Sequence, residues 1–185
     1  MNVAVLSDAE LLTLFREGDN PGYAFELIVR TYGERLYWHI RKMVISHEDA
    51  NDVLQNCLIK AWNGLPSFRE EAKLYTWLYR IATNEVITYI KKHRNYKYVS
   101  LDEAGWKLEE SLFADPLFHG DAIQLRLQKA IQRLPNKQRL VFNMRYFDEM
   151  KYEQISEIVG TSVGALKASY HHAAEKIEQF MKENV

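Results

Sequence analysis

Between Lys60 and Lys97, aromatic rings are interleaved with cations. Trp62, Phe68, Tyr75, Trp77, Tyr79 and Tyr89 share this stretch with Arg80, Lys91, Lys92, Arg94 and the amide of Asn84. Unpaired nucleobases stack on such rings at about 1–3 kcal/mol each while cations follow the phosphates, a chemistry suited to single-stranded DNA. Rings of this kind also fill cores, and most of them can do so here. A helix needs only one apolar side to fold, however, and residues 70–93 carry aromatic or aliphatic groups on more than one, including Tyr75, Trp77, Leu78, Tyr79 and Ile81. One side is therefore expected to face a ligand.

Two further stretches carry usable chemistry. Tyr152 to Ile177 reads as a short helix, a turn through Gly160-Thr161-Ser162 and a longer helix. That is the pattern of a helix-turn-helix, whose second helix lies in a DNA major groove. With Leu166 and Tyr170 inward, the opposite face offers Lys167, Ala168, His171 and His172, with Ser162 at the amino end. An ordinary pair of packed helices has the same pattern. His171 and His172 cannot converge on one metal ion, because adjacent helical residues point about 100° apart. The third stretch sets Asp49, Asp52 and Asn56 opposite an apolar stripe, with Glu48 and Gln55 beside them. Acids in a first helical turn are favoured by the helix dipole, so a solvated face is the default and a partner-docking face or a Mg²⁺ site the alternatives. No second acidic cluster with matching spacing, Gly-rich phosphate loop or nucleophile elbow accompanies it. Neither catalysis nor a cofactor is expected.

The elements that must position these groups are helices throughout. Ala50, Val53, Leu54, Cys57, Leu58, Ala61 and Trp62 recur at three- and four-residue offsets, with Ser46 to cap the first turn and Gly64 and Pro66 to end the helix. Upstream, Asp19 or Asn20 caps a helix with Pro21 in its first turn, preceded by a short helix over Asp8 to Arg16. Residues 70–93 lack Gly and Pro and form the next long helix. Periodicity fades from Arg94 to Gly120, which reads as an exposed acidic linker. Four segments follow: 121–133, 136–146, 152–159 and 162–182, broken at Leu134-Pro135, Asp148 and Gly160.

The 185 residues hold 24 basic and 25 acidic side chains, a net charge of −1 that conceals an uneven distribution. Residues 60–97 contain eight basic and three acidic groups, and residues 98–121 one basic and six acidic. A lone Cys57 excludes an internal disulfide and a multi-thiol zinc site, and no run of about 18 apolar residues is present to span a membrane. A cytoplasmic protein without membrane insertion is expected.

In this order the segments resemble the extracytoplasmic-function (ECF) sigma factors, the smallest members of the sigma-70 class, over nearly the whole chain. Ser46-His47-Glu48-Asp49-Ala50-Asn51-Asp52-Val53-Leu54-Gln55 resembles the region 2.2 helix. Ser67-Phe68-Arg69 with Tyr75-Thr76-Trp77-Leu78-Tyr79-Arg80-Ile81-Ala82-Thr83-Asn84 resembles regions 2.3 and 2.4. Leu134-Pro135 and the helix-turn-helix from Tyr152-Glu153-Gln154-Ile155 resemble region 4. The resemblance implies an all-α fold of two small helical domains, region 2 over residues 1–95 and region 4 over 121–185, joined by a flexible acidic linker over 96–120.

It further implies core RNA polymerase as partner, through its β′ clamp helices and β flap, with Asp49, Asp52 and Gln55 in the docking face. Promoter DNA is the second partner, as duplex and as melted single strand. Phe68 and Asn84 would border a pocket for an extruded base of the minus-ten element, and Tyr75, Trp77 and Arg80 would lie in the strand-opening helix. Extrusion costs a few kcal/mol, returned by stacking and hydrogen bonds to the freed base. Ser162, Lys167, Ser169, His171 and His172 would meet the minus-thirty-five element, and an anti-sigma factor would hold the protein inactive. Two departures from the family pattern stand out: Ser156 replaces the usual Ala, and Gly164 to Ala174 lacks the several arginines common there, which weakens guanine and phosphate contacts. The rival readings are a stand-alone helix-turn-helix regulator dimerising on a palindrome, and an all-α Mg²⁺-dependent nucleotide hydrolase using Glu48, Asp49 and Asp52.

Overall fold

The computed structural model describes residues 6–44, 46–93 and 122–183, and among them the regular secondary structure is helical. The amino-terminal helices are α1 (Asp8–Glu17), α2 (Pro21–Arg41), α3 (His47–Gly64) and α4 (Leu74–His93), with a 3-10 turn at Leu65–Ser67 between the last two. The carboxy-terminal helices are α5 (Ala122–Gln132), α6 (Asn136–Tyr146), α7 (Tyr152–Val159) and α8 (Val163–Glu183). The expected linker at 94–120 lies outside the described residues.

Capping fixes the helix starts. Ser7 and Glu10 form a reciprocal capping box on α1, Asn20 accepts from the Tyr23 amide on α2 at 3.0 Å, and Ser46 accepts from the Asp49 amide on α3 at 3.2 Å. Of the two caps proposed for α2, Asn20 is the one used. Helix α4 starts at Leu74, later than the expected Glu70, because Glu70 is left-handed (φ 60°) and is held by Arg16 at 2.5 Å. Local propensity carries no information about that partner, 54 residues upstream. Between α7 and α8, Gly160 adopts φ 69°, ψ 30°, a conformation an L side chain resists, and its amide closes the helix on the Ser156 carbonyl at 2.9 Å.

Ile28, Leu36, Ile40, Ala50, Val53, Cys57, Leu78 and Val86 form the centre of the amino-terminal bundle. That core does not stop at the expected domain boundary. Leu140, Val141, Met144, Met150, Ile155, Ile158 and Leu166 belong to the same buried cluster, and α4 packs directly on α7. The surplus apolar side of residues 70–93, expected to face a ligand, is thus partly covered by the carboxy-terminal helices. A smaller second core of Ala130, Ile131, Leu134, Phe142, Ala173 and Ile177 joins α5, α6 and α8.

Candidate nucleic-acid and partner interfaces

The loop between α3 and α4 is built around two rings. Phe68 is 8% exposed, and its centroid lies 4.9 Å from that of half-buried Trp77. The Phe68 amide donates to the Leu65 carbonyl at 3.2 Å, Ser67 Oγ donates to the Gly64 carbonyl at 3.0 Å, and Arg16 donates to the Phe68 carbonyl. Gly64 is required by proximity: a Cβ there would stand 2.8 Å from Trp77 Cζ2. Phe68 is therefore a buried ring packed on Trp77 and held in place by the chain itself.

Along α4, Asn84 follows Trp77 by seven residues, two turns and about 10 Å further on the same face. It is exposed, as is Arg80 between them. Arg80 is engaged, since its Nη2 donates to the Glu157 carbonyl of α7 at 2.8 Å. Tyr75 is half-buried, 4.3 Å from Tyr79 and 6.3 Å from Tyr32 between ring centroids. Burial, more than any neighbouring charge, raises the Tyr75 hydroxyl above its ordinary pKa, so it acts there as a neutral hydrogen-bonding group. Phe68, Trp77 and Asn84 thus line one edge, while Tyr75 sits nearer α2.

On α3, Asp49, Asp52 and Gln55 recur at three-residue spacing and share a face. Asp52 and Gln55 are exposed; Asp49 is half-buried and is hydrogen-bonded to the Tyr89 hydroxyl of α4. The face continues into Ile59 and Trp62, 51% and 40% exposed. Trp62 also packs edge-on against Phe15 and Phe25. Sequence reasoning assigned Trp62 to the buried stripe and passed over Ile59, although Ile59 follows Asp52 by seven residues and Gln55 by four.

The helix-turn-helix pair is present as expected, with Ile155, Ile158 and Leu166 buried and Tyr170 stacked on Phe142 at 5.6 Å. Ser162 accepts from the Ala165 amide at 3.4 Å and stays exposed at the head of α8. Lys167 is exposed, its Nζ 5.8 Å from the Tyr152 ring centre. His171 and His172 are exposed and both approach Glu175 at 3.3 Å. Ser169 is half-buried; two helical steps turn it away from Lys167, while His172, three residues on, neighbours it on the same face. Among the described residues, no group of three or more His, Cys, Asp or Glu is arranged to hold a metal ion, and no helix is long and apolar enough to cross a membrane.

This arrangement matches known proteins along its length. Residues 28–96 match the family model of Sigma-70 region 2, and residues 124–177 that of Sigma-70, region 4. The ECF RNA polymerase sigma factor SigW of Bacillus subtilis (strain 168) is 32% identical over 176 residues, covering 91% of this chain and 93% of that protein. The ECF RNA polymerase sigma-E factor of Escherichia coli (strain K12) is 30% identical over 181 residues, covering 94% and 93%. Two solved structures share the fold at 21% identity. The sigma factor RpoE in complex with the anti-sigma factor NepR from Bartonella quintana has a TM-score of 0.65, over 87% of this chain and 98% of that one. CnrH in complex with the cytosolic domain of CnrY has a TM-score of 0.69, over 96% and 99%. Residues 28–96 and 124–177 accordingly correspond to two regions of a sigma-70-class protein. Within that class, the chain belongs to the ECF RNA polymerase sigma factors.

Proposed function

We propose that this chain binds core RNA polymerase, directs it to a two-part promoter and stabilises the melted strand, with no catalysis of its own. The observation that carries the reading is the co-occurrence, on one chain, of the Phe68–Trp77–Asn84 edge and a helix-turn-helix with Lys167 exposed. Residues 1–95 act as region 2, residues 96–120 as the linker and residues 121–185 as region 4.

Asp49, Asp52 and Gln55 dock on the β′ clamp helices, and Ile59 supplies an apolar contact beside them. Phe68 and Asn84 border the pocket for an extruded minus-ten base, while Trp77, Tyr75 and Arg80 support the separated strand. Ser162, Lys167 and His171 face the minus-thirty-five duplex, with His172 at the flank; region 4 also meets the β flap. The protein works in the cytoplasm, and an anti-sigma factor that covers the docking faces restrains it; RpoE, which shares the fold, was solved with such a partner. A stand-alone regulator has no use for the α3 docking face and is not favoured.

The test is transcription by purified core polymerase on a promoter library, with and without the protein. New start sites that depend on the protein support the reading, and their upstream sequences report the elements read. A protein that neither associates with core polymerase nor yields a start site refutes it.

A further inference from the structure

Helix α1 ends before residue 28, where the match to region 2 begins, yet one of its side chains reaches the loop between α3 and α4. Leu11, Leu12 and Phe15 are buried, Phe15 packs edge-on against Trp62 at 5.3 Å, and Asp8 accepts from the Tyr32 hydroxyl of α2. The helix is therefore seated firmly on the bundle. Arg16 lies in its last turn. Its Nη1 donates to Glu70 Oε1 at 2.5 Å and its Nη2 to the Phe68 carbonyl. One guanidinium thus holds the residues on either side of Arg69. The planar fork suits that task, because its donors are fixed relative to one another and so fix their two acceptors together.

The loop needs such a hold after Phe68 more than before it. The bonds from the Phe68 amide to Leu65 and from Ser67 to Gly64 join residues three apart, and they shape the turn that leads into Phe68. Beyond Phe68 the chain passes through Glu70, left-handed at φ 60°, to start α4 at Leu74. Glycine takes that conformation freely; a residue with a Cβ resists it. The ion pair alone is a weak cause, since its side chains are 33% and 48% exposed and water screens such pairs. The bond to the Phe68 carbonyl is the stronger half, being charge-assisted and partly buried. It fixes the peptide that joins Phe68 to Arg69, and the Phe68 ring in turn packs on Trp77 at 4.9 Å.

We propose that Arg16 is a positioning residue for capture of the minus-ten base: by clamping the Phe68 carbonyl and the Glu70 carboxylate from α1, it sets where the Phe68 ring stands and so which base the pocket accepts. Arg16 touches no DNA in this role and acts through Phe68. The inference rests on the base pocket proposed above, and it adds a group from α1 that the sequence reading did not select.

The test uses holoenzyme assembled from core polymerase and the full chain, with open complexes followed by a fluorescent base analogue. The template is a promoter recovered from the transcription library, each minus-ten position being changed in turn to the other three bases. Asn84→Ala, at an exposed position, marks the captured base as the place where the preference flattens. Arg16→Ala should lower opening on the preferred base about fivefold, the scale of an exposed ion pair and a charge-assisted bond lost together. It should also flatten the preference at the position that Asn84→Ala marks, with polymerase affinity and melting temperature close to the parent values. Arg16→Lys, which keeps the charge and loses the fork, should fall between the two. Adding Glu70→Gly to Arg16→Ala should recover part of the loss, since glycine takes φ 60° without a clamp. A loss equal for all bases is a general effect and overturns the positioning role, as do an Arg16→Ala protein indistinguishable from the parent and a double variant with no recovery. If Asn84→Ala flattens no position, the pocket falls and this inference with it; if Asn84→Ala flattens one and Arg16→Ala does not, the role of Arg16 alone is overturned.

Discussion

Gly64→Ala tests the ring-built loop without replacing a side chain assigned to DNA. Gly64 ends α3 with φ −87°, a conformation alanine adopts freely, so helix propensity alone predicts stabilisation of up to about 1 kcal/mol. The added methyl would meet Trp77 Cζ2 at 2.8 Å and Cη2 at 3.3 Å. An indole cannot bend aside as a lysine tip can, and this one is braced by Phe68 at 4.9 Å. Overpacking of this kind costs about 1–3 kcal/mol. The steric cost should win by about 1 kcal/mol, lowering the melting temperature by about 2–4 °C for a chain of this length. Because Trp77 and Phe68 must shift together, open-complex formation with core polymerase should fall several-fold while polymerase affinity stays at the parent value. Fluorescence of a base analogue in the minus-ten element reads the first, and gel-shift titration of core polymerase reads the second. A variant that melts at or above the parent temperature and opens promoters normally would refute the claim that Trp77 is fixed against Gly64.

Asp52→Ala combined with Gln55→Ala should weaken core-polymerase binding without moving the melting temperature, since both side chains are exposed; titration of labelled polymerase checks it. Lys167→Ala should weaken upstream duplex binding and reduce the salt slope by about 0.9, the signature of one phosphate contact. Burial pushes the Cys57 thiol up to about 12, the nearby Glu85 charge adding to the effect, so alkylation at pH 8 should proceed only on unfolding, as a mass-spectrometric time course with and without denaturant would reveal. Burial alone would raise the Asp148 carboxyl, but hydrogen bonds from His39 and Lys42 outweigh it and hold the group below its ordinary value of 3.8. Its contribution to the contact between the two halves is therefore complete above 3.8 and is lost as pH falls through the lower, folded-state value. Scattering during acid titration should show the parent opening in that window and Asp148→Asn lacking the step.

The helices were legible because their signals are local. The bounds of α6 and α7 coincide with those read from Pro135, Asp148 and Gly160, and the α2 cap lay between two adjacent candidates. Where reading and structure differ, the cause lies far along the chain. Helix α4 begins four residues late because Arg16, on α1, stabilises a left-handed Glu70. Ile59 went unnoticed because an apolar residue among polar ones on an outward face reads as noise until its exposure is seen.

The excess apolar surface of α4 is the most instructive case. A single helix with two apolar sides has two explanations, a ligand or another part of the same protein, and periodicity cannot separate them. Here α7 covers part of that surface, and Arg80, selected as a strand contact, donates to a carbonyl of α7. The two explanations become one if the cover is removable, and the chemistry of the contact fits that requirement. Besides the shared apolar cluster, contacts between the halves include the pairing of Asp148 with Lys42 and His39, the Lys42–Phe147 ring contact and hydrogen bonds from Arg80 and Asn143 to backbone carbonyls, polar groups that water can also satisfy. A purely apolar seam would have no such substitute partners. The excess apolar surface of α4 is thus used in part within the chain, with Lys42 and Arg80 each engaged across the junction.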